Sequence, residues 1–267
     1  MHIRVGYDIV QDCAAPTPMM LMLSLRPERM ADQVTPQVLR LEPNLPVRTY
    51  ADRFGNVCTR VLAPRGPFRV SADFIVSDDG RPDQPAPDAI QHEVDDLPSE
   101  MLVFLLGSRY CETDRLIEPA WALFGGTPPG WKRLEAIVEW VNERITFGYP
   151  YARNTRTAWE AFNERVGVCR DFAHLAVALC RCMNIPARYC TGWLPDIGVP
   201  VELPMDFSAW FEVYLGGRWH TADARHAHPR VGRILMAYGR DAVDTAIITA
   251  FGPTVLTRFD VIGEPVT

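Results

Sequence analysis

Two stretches of the chain hold side chains that could act together as a nucleophile and its acid–base partner. The first is Gly167-Val168-Cys169-Arg170-Asp171-Phe172-Ala173-His174-Leu175, in which Cys169 opens a strongly apolar segment. A cysteine in the first turn of a helix meets unpaired backbone N–H groups and the positive end of the helix dipole. Such an environment takes a thiol pKa from about 8.5 to ~3.5–7.5, so the spacing predicts a depressed pKa for Cys169. The second stretch runs from Asp206 to Asp223 around Gly216-Gly217, the signature of a two-residue hairpin loop. In that register Leu215 pairs with Arg218 and Glu212 with Thr221. Phe207, Ala209, Phe211 and Val213 form an apolar face, and Ser208 and Asp223 become diagonal neighbours on the other at roughly 7–8 Å.

A nucleophilic cysteine needs a base within reach. His220 pairs with Val213 in this register and belongs to the apolar face, away from Asp223. His226 and His228 follow Asp223, where the strand can curl, and His226 is the better placed. His174 lies about 140° round the helix from Cys169 and reads as a packing residue. For each of these histidines a structural role is the commoner outcome. His226 and His228 lack further ligands at metal-site spacing, and Cys180 and Cys182 point to different sides of their helix. Trp159 and Tyr151 precede the nucleophile and read as core or cleft-lining aromatics. The backbone N–H of Cys169 is the expected oxyanion donor.

The elements that must position these groups fall into two halves. Before residue 100 strand signals recur between turns: Ile3, Val5, Tyr7 and Ile9 alternate with polar residues, as do Phe68, Val70, Ala72, Phe74 and Val76. Asp52 to Asn56 reads as a turn into a strand over 57–62. Short strands between Pro and Gly turns predict an antiparallel sandwich or barrel. The Asp-, Pro- and Glu-rich stretch from 77 to 100 reads as a solvated linker, and its Asp78-Asp79-Gly80 lacks the rest of a calcium loop. After residue 100, Trp131, Leu134, Ile137, Val138, Val141 and Ile145 mark an amphipathic helix. Shorter helical signals cover 157–164, and 169–183 is apolar nearly all round, which marks a central helix ended by Asn184-Ile185-Pro186. Strands follow at 187–194, 207–215 and 218–223. The fold class is α+β, with residues 1–95 as a β domain and 96–267 as a core of a buried helix against an antiparallel sheet.

Composition narrows the function classes. The 267 residues carry 27 basic and 33 acidic side chains, a net charge of −6, with 48% apolar and 22% charged residues. These values are those of a globular protein and exclude a disordered, collagen-like or coiled-coil chain. Mild acidity gives no generic attraction to nucleic acid or to an anionic membrane. No apolar run approaches the ~20 residues of a membrane span; the longest, Met19 to Leu25, is strand-sized. Seven dispersed cysteines read as reduced thiols, and the strand pattern starts at the first residues, so a cytoplasmic protein is expected.

Taken together, three blocks resemble the transglutaminase-like superfamily, a papain-like group of thiol enzymes: residues 167–175, Ile185-Pro186-Ala187-Arg188, and Ser208-Ala209-Trp210 with Asp223 in the next strand. Phe54-Gly55-Asn56 and Ser108-Arg109-Tyr110-Cys111 are similar to its bacterial branch with an N-terminal β domain. The resemblance covers essentially the whole chain. It implies Cys169 as nucleophile and Asp223 as the third triad member, while the family's His-Ala-Trp stands here as Ser208-Ala209-Trp210. The implied function is cysteine-dependent hydrolysis or acyl transfer on peptide amides through a thioester, with a peptide or protein as substrate. It implies no cofactor and no metal. Because a hydroxyl cannot replace the imidazole as acid–base group, the alternative is an inactive module that keeps the cleft and binds peptide or protein. A third reading makes Cys169 a redox or ligand-capture thiol.

Overall fold

The computed structural model describes residues 1–266. In chain order the first half holds β1 (His2–Cys13), β2 (Thr17–Leu21), β3 (Arg40–Glu42), β4 (Arg48–Ala51), β5 (Val57–Ala63) and β6 (Gly66–Ser77). There follow α1 (Thr113–Phe124), α2 (Trp131–Arg144), β7 (Thr146–Phe147), α3 (Ala158–Glu164), β8 (Val166–Gly167), α4 (Cys169–Cys182) and β9 (Ala187–Trp193). The chain continues through β10 (Ser208–Leu215), β11 (Arg218–Ala222), β12 (Ile234–Gly239), β13 (Ile248–Ala250) and β14 (Thr254–Pro265).

The period-2 pattern does what it implied. Ile3, Val5, Tyr7 and Ile9 of β1 and Phe68, Val70, Ala72, Phe74 and Val76 of β6 are buried, while the polar residues between them stay at least partly exposed. Two antiparallel sheets, ordered β14-β1-β6-β3 and β13-β2-β5-β4, enclose these side chains with Met19, Leu21 and Ala63 in one core. The result is the expected antiparallel sandwich. Its last strands come from the far end of the chain: β14 pairs with β1 along nearly its whole length, and β13 with β2. Strand pairing therefore joins 248–265 to the first half, not to the 96–267 unit expected from composition. We propose residues 1–95 with 248–266 as the β unit and 96–247 as the core.

In that core α4 is the central helix, buried from Asp171 to Cys182. It packs on Phe211 and Val213 of β10 and is surrounded by Leu116 and Ala120 of α1, Ile137 and Val141 of α2, and Ala158 and Ala161 of α3. The sheet runs β11-β10-β9-β12 and is antiparallel throughout. The β10–β11 hairpin has the expected register, with Leu215 opposite Arg218 and Glu212 opposite Thr221. Gly216 and Gly217 turn it with φ of 58° and 82°, which suits the left-handed positions of a tight hairpin turn. Helix α1 has no counterpart in the sequence reading. Pro119 lies inside it and removes one backbone bond, yet Leu116, Ala120 and Phe124 at steps of four bury a continuous stripe.

The segment read as a free linker is instead a strap across the core. The Trp131 and Gly216 N–H groups donate to the carbonyls of Ala89 (3.1 Å) and Ile90 (2.8 Å). Gln91 Nε2 donates to the Met183 carbonyl at 2.8 Å. On the other side the sandwich grips the sheet that carries the cleft. Trp193 of β9 and Phe207, just before β10, lie in the sandwich core, with ring centroids 6.3 and 6.2 Å from Tyr7. The entry into β10, and with it Ser208, is thereby fixed by both units.

Candidate active site

Cys169 is the first residue of α4, and local packing dictates its position. The Asp171 carboxylate turns back to accept the Val168 N–H (2.9 Å) and an Arg156 N–H (3.1 Å), closing the first turn. Gly167 makes that possible: a Cβ there would lie 2.7 Å from the Asp171 carboxylate. The Cys169 side chain remains partly exposed and packs beside Ala209 of β10. It lines a cleft shared with Phe147, Tyr149, Asp206, Ser208, Arg225 and His226.

Asp223 stands just past β11, buried, where the ladder has ended and the chain curls. Its backbone carbonyl accepts the Ala227 N–H (2.9 Å), and Oδ1 accepts the N–H groups of Arg225 (2.9 Å) and His226 (3.2 Å). Ala227 sits at φ 54°, the left-handed conformation that completes so tight a turn. The curl brings His226 back onto Asp223, with Nδ1 at 2.8 Å from Oδ2. Arg233 Nη2 donates to the same Oδ2, also at 2.8 Å. With Nδ1–H donating to the carboxylate, His226 Nε2 is left as a proton acceptor.

Ser208 lines the cleft and is only 6% exposed, and its Oγ has no hydrogen-bond partner. It makes no bond to Asp223, whose carboxylate is held by the imidazole of His226. The other histidines stand elsewhere. His220 is buried opposite Val213, bonded to the Leu215 carbonyl at 3.1 Å and edge-on to Trp131. His174 is buried between Tyr110 and Tyr189 and accepts the Ala242 N–H at 3.1 Å. His228 is exposed, with Nδ1 at 2.6 Å from the His226 carbonyl. Trp159 stacks on Phe162 against the helical core, and of the aromatics before Cys169 it is Phe147 and Tyr149 that reach the cleft.

The electrostatics correct one expectation. Burial, and then the negative charge of Asp206, push the Cys169 thiol up to about 11; Arg225 and the Ala209 N–H offset this only in part. The helix end favours the thiolate, but burial and Asp206 outweigh it. Burial also disfavours the ionised form of Asp223, but Arg233 and His226 overcome it and hold its carboxyl well below the usual carboxylate range. Burial raises Asp206. Sequence reading missed Arg233, Asp206 and Arg225, since no periodicity or motif spacing links them to Cys169. Among the described residues no group of three or more His, Cys, Asp or Glu is arranged to hold a metal ion. A buried or half-buried thiol, an imidazole fixed on a carboxylate and a helix N-terminus in one cleft have the parts needed for acyl transfer.

Comparison with known proteins agrees with this architecture. Residues 122–224 match the model of the transglutaminase-like superfamily. The structure of a candidate cysteine protease from Cytophaga hutchinsonii is similar at 28% identity and a TM-score of 0.82, covering 98% of this chain and 90% of that one. An uncharacterized protein of Mycobacterium leprae is 28% identical over 118 residues, 43% of this chain and 42% of its own length, so the match spans less than half of that relative. The fold is that of a transglutaminase-like core with an N-terminal β unit. Residues 122–224 therefore carry a transglutaminase-like domain.

Proposed function

We propose that the protein is a cysteine-dependent amidase or acyltransferase acting on peptide amides, with Cys169 as nucleophile, His226 as acid–base group and Asp223 orienting it. The carrying observation is the 2.8 Å pairing of His226 with Asp223 at the edge of the cleft that Cys169 lines. Ser208 stands where the family's histidine is expected, and His226, three residues after Asp223, takes over the role. The ground for an inactive binding module was the missing base, and His226 removes that ground. The raised thiol also weighs against a redox cysteine, which needs thiolate character.

In this reading the thiol rests protonated, because burial raises it. Nε2 takes the Sγ proton as sulfur attacks the carbonyl carbon, and the Asp223 carboxylate stabilises the imidazolium. The Cys169 N–H at the start of α4 donates to the oxyanion. Collapse expels the amine, which leaves with the proton from Nε2, and an acyl-thioester remains on Cys169. Water or a second amine then attacks the thioester, with Nε2 as base, and the thiol is restored. We assign the protein to the cytoplasm on its chemistry: all seven cysteines are free, as a reducing compartment keeps them.

The test is turnover of a fluorogenic peptide-amide library, with and without a primary amine. Activity in the parent that is lost in Cys169→Ala and falls ~10²–10⁴-fold in His226→Ala is expected. Peptide binding without turnover in the parent, or full activity in Cys169→Ala, would overturn the assignment.

A further inference from the structure

Asp223 does not serve His226 alone. Its Oδ2 accepts from His226 Nδ1 and from Arg233 Nη2, each at 2.8 Å. The Arg233 side chain is 8% exposed, and its Nε reaches both oxygens of Asp83, at 3.0 and 2.8 Å. Asp83 belongs to the strap between the two units and is itself fixed by the Arg230 N–H at 3.0 Å. The guanidinium also lies 5.2 Å from the centroid of the Trp210 ring. A continuous chain of alternating charge, Asp83–Arg233–Asp223–His226, thus runs from the strap to the cleft.

We propose that Arg233 is a positioning residue that sets how strongly His226 holds a proton, with Asp83 of the strap governing how much of the Arg233 charge acts on Asp223. This rests on the reading of His226 as acid–base group. A carboxylate beside an imidazole favours the protonated ring; a cation bound to the same carboxylate oxygen weakens that effect. Asp83 neutralises part of the cation and restores some of it. Other charges bear on the ring as well: Arg225 and His228 on its own segment, Asp196, Glu202 and Asp206 from the segment before β10, and the Cys169 thiol of α4. These are unchanged when only Arg233 or Asp83 is replaced. Two opposite shifts therefore follow from two substitutions, an outcome that a merely structural role for the pair does not produce.

The experiment is the pH dependence of Cys169 alkylation by iodoacetamide, read by peptide mass spectrometry on intact folded protein. The His226-dependent limb is the part lost in His226→Ala. In Arg233→Gln its midpoint is expected to move up by about one pH unit, in Asp83→Asn to move down, and in Arg233→Lys to stay near the parent. If Arg233→Gln fails to fold, Asp83→Asn alone decides, because the Asp83 side chain is the less buried of the two, 19% exposed against 8%. A limb that is present but unmoved, or moved the same way in both variants, overturns the inference and leaves the function standing. A parent profile without that limb overturns both.

Discussion

Position 208 decides how the site is read. A serine hydroxyl neither takes up a proton near neutral pH nor carries positive charge, so it cannot act as the acid–base group of a thiol enzyme. The imidazole of His226, fixed on Asp223, can. Ser208→Ala is expected to change turnover by less than ~10-fold, against the ~10²–10⁴-fold loss expected for removing a positioned acid–base group. A kcat comparison of Ser208→Ala with His226→Ala checks this, and equal losses would count against it. Cys169 and Asp223 were legible because each sits in a motif at the start of a helix or the end of a hairpin. His226 was legible only as a candidate, since its return to Asp223 depends on the tight turn over residues 223–227, which no spacing rule reveals. Arg233 was not legible at all: nine residues of largely irregular chain separate it from the carboxylate it holds.

Helix α4 places Cys169, and its first turn depends on a close approach. Asp171 can cap Val168 only while residue 167 has no side chain, because a Cβ would press on the carboxylate at 2.7 Å. Gly167→Ala is expected to destabilise the fold by ~1–3 kcal/mol, the usual cost of overpacking, with Cys169 displaced as the turn gives way. Urea unfolding measures the first effect, and a midpoint equal to the parent's would contradict it. At this scale the sequence was most informative where periodicity was strong. Helix α2 and the β10–β11 hairpin followed the apolar spacing closely. Helix α1 escaped notice because Pro119 argues against a helix locally, whereas its burying stripe is a tertiary effect. The predicted thiol pKa failed for a related reason: the helix end is local, but burial and Asp206 come from the assembled cleft.

The two units are joined at several places, among them the strap of residues 77–100, the Tyr7–Trp193–Phe207 cluster, the pairing of Asn56 with the Tyr238 backbone, and the return of β13 and β14 to the sandwich. This long-range closure could not be read from local pattern, and it makes stability a property of the whole chain. Buried His174 illustrates the consequence. Burial, with the positive charges of Arg170 and Arg181, holds its pKa well below the usual value. The unfolded chain takes up that proton near pH ~6.5 while the folded one does not, so stability is complete above that pH. It falls at up to ~1.4 kcal/mol per unit as pH drops from there toward the folded pKa. His174→Gln should shrink the difference between urea midpoints at pH 8 and pH 5, and an unchanged difference would contradict this.

In the proposed mechanism His226, not residue 208, activates Cys169. The most direct measurement compares the pH profile of Cys169 alkylation in the parent and in His226→Ala, by peptide mass spectrometry of the folded proteins. The account predicts that the parent reacts along a limb below the thiol's own ionisation, whereas the variant gains reactivity only toward a pH of about 11. Superimposable profiles would contradict it.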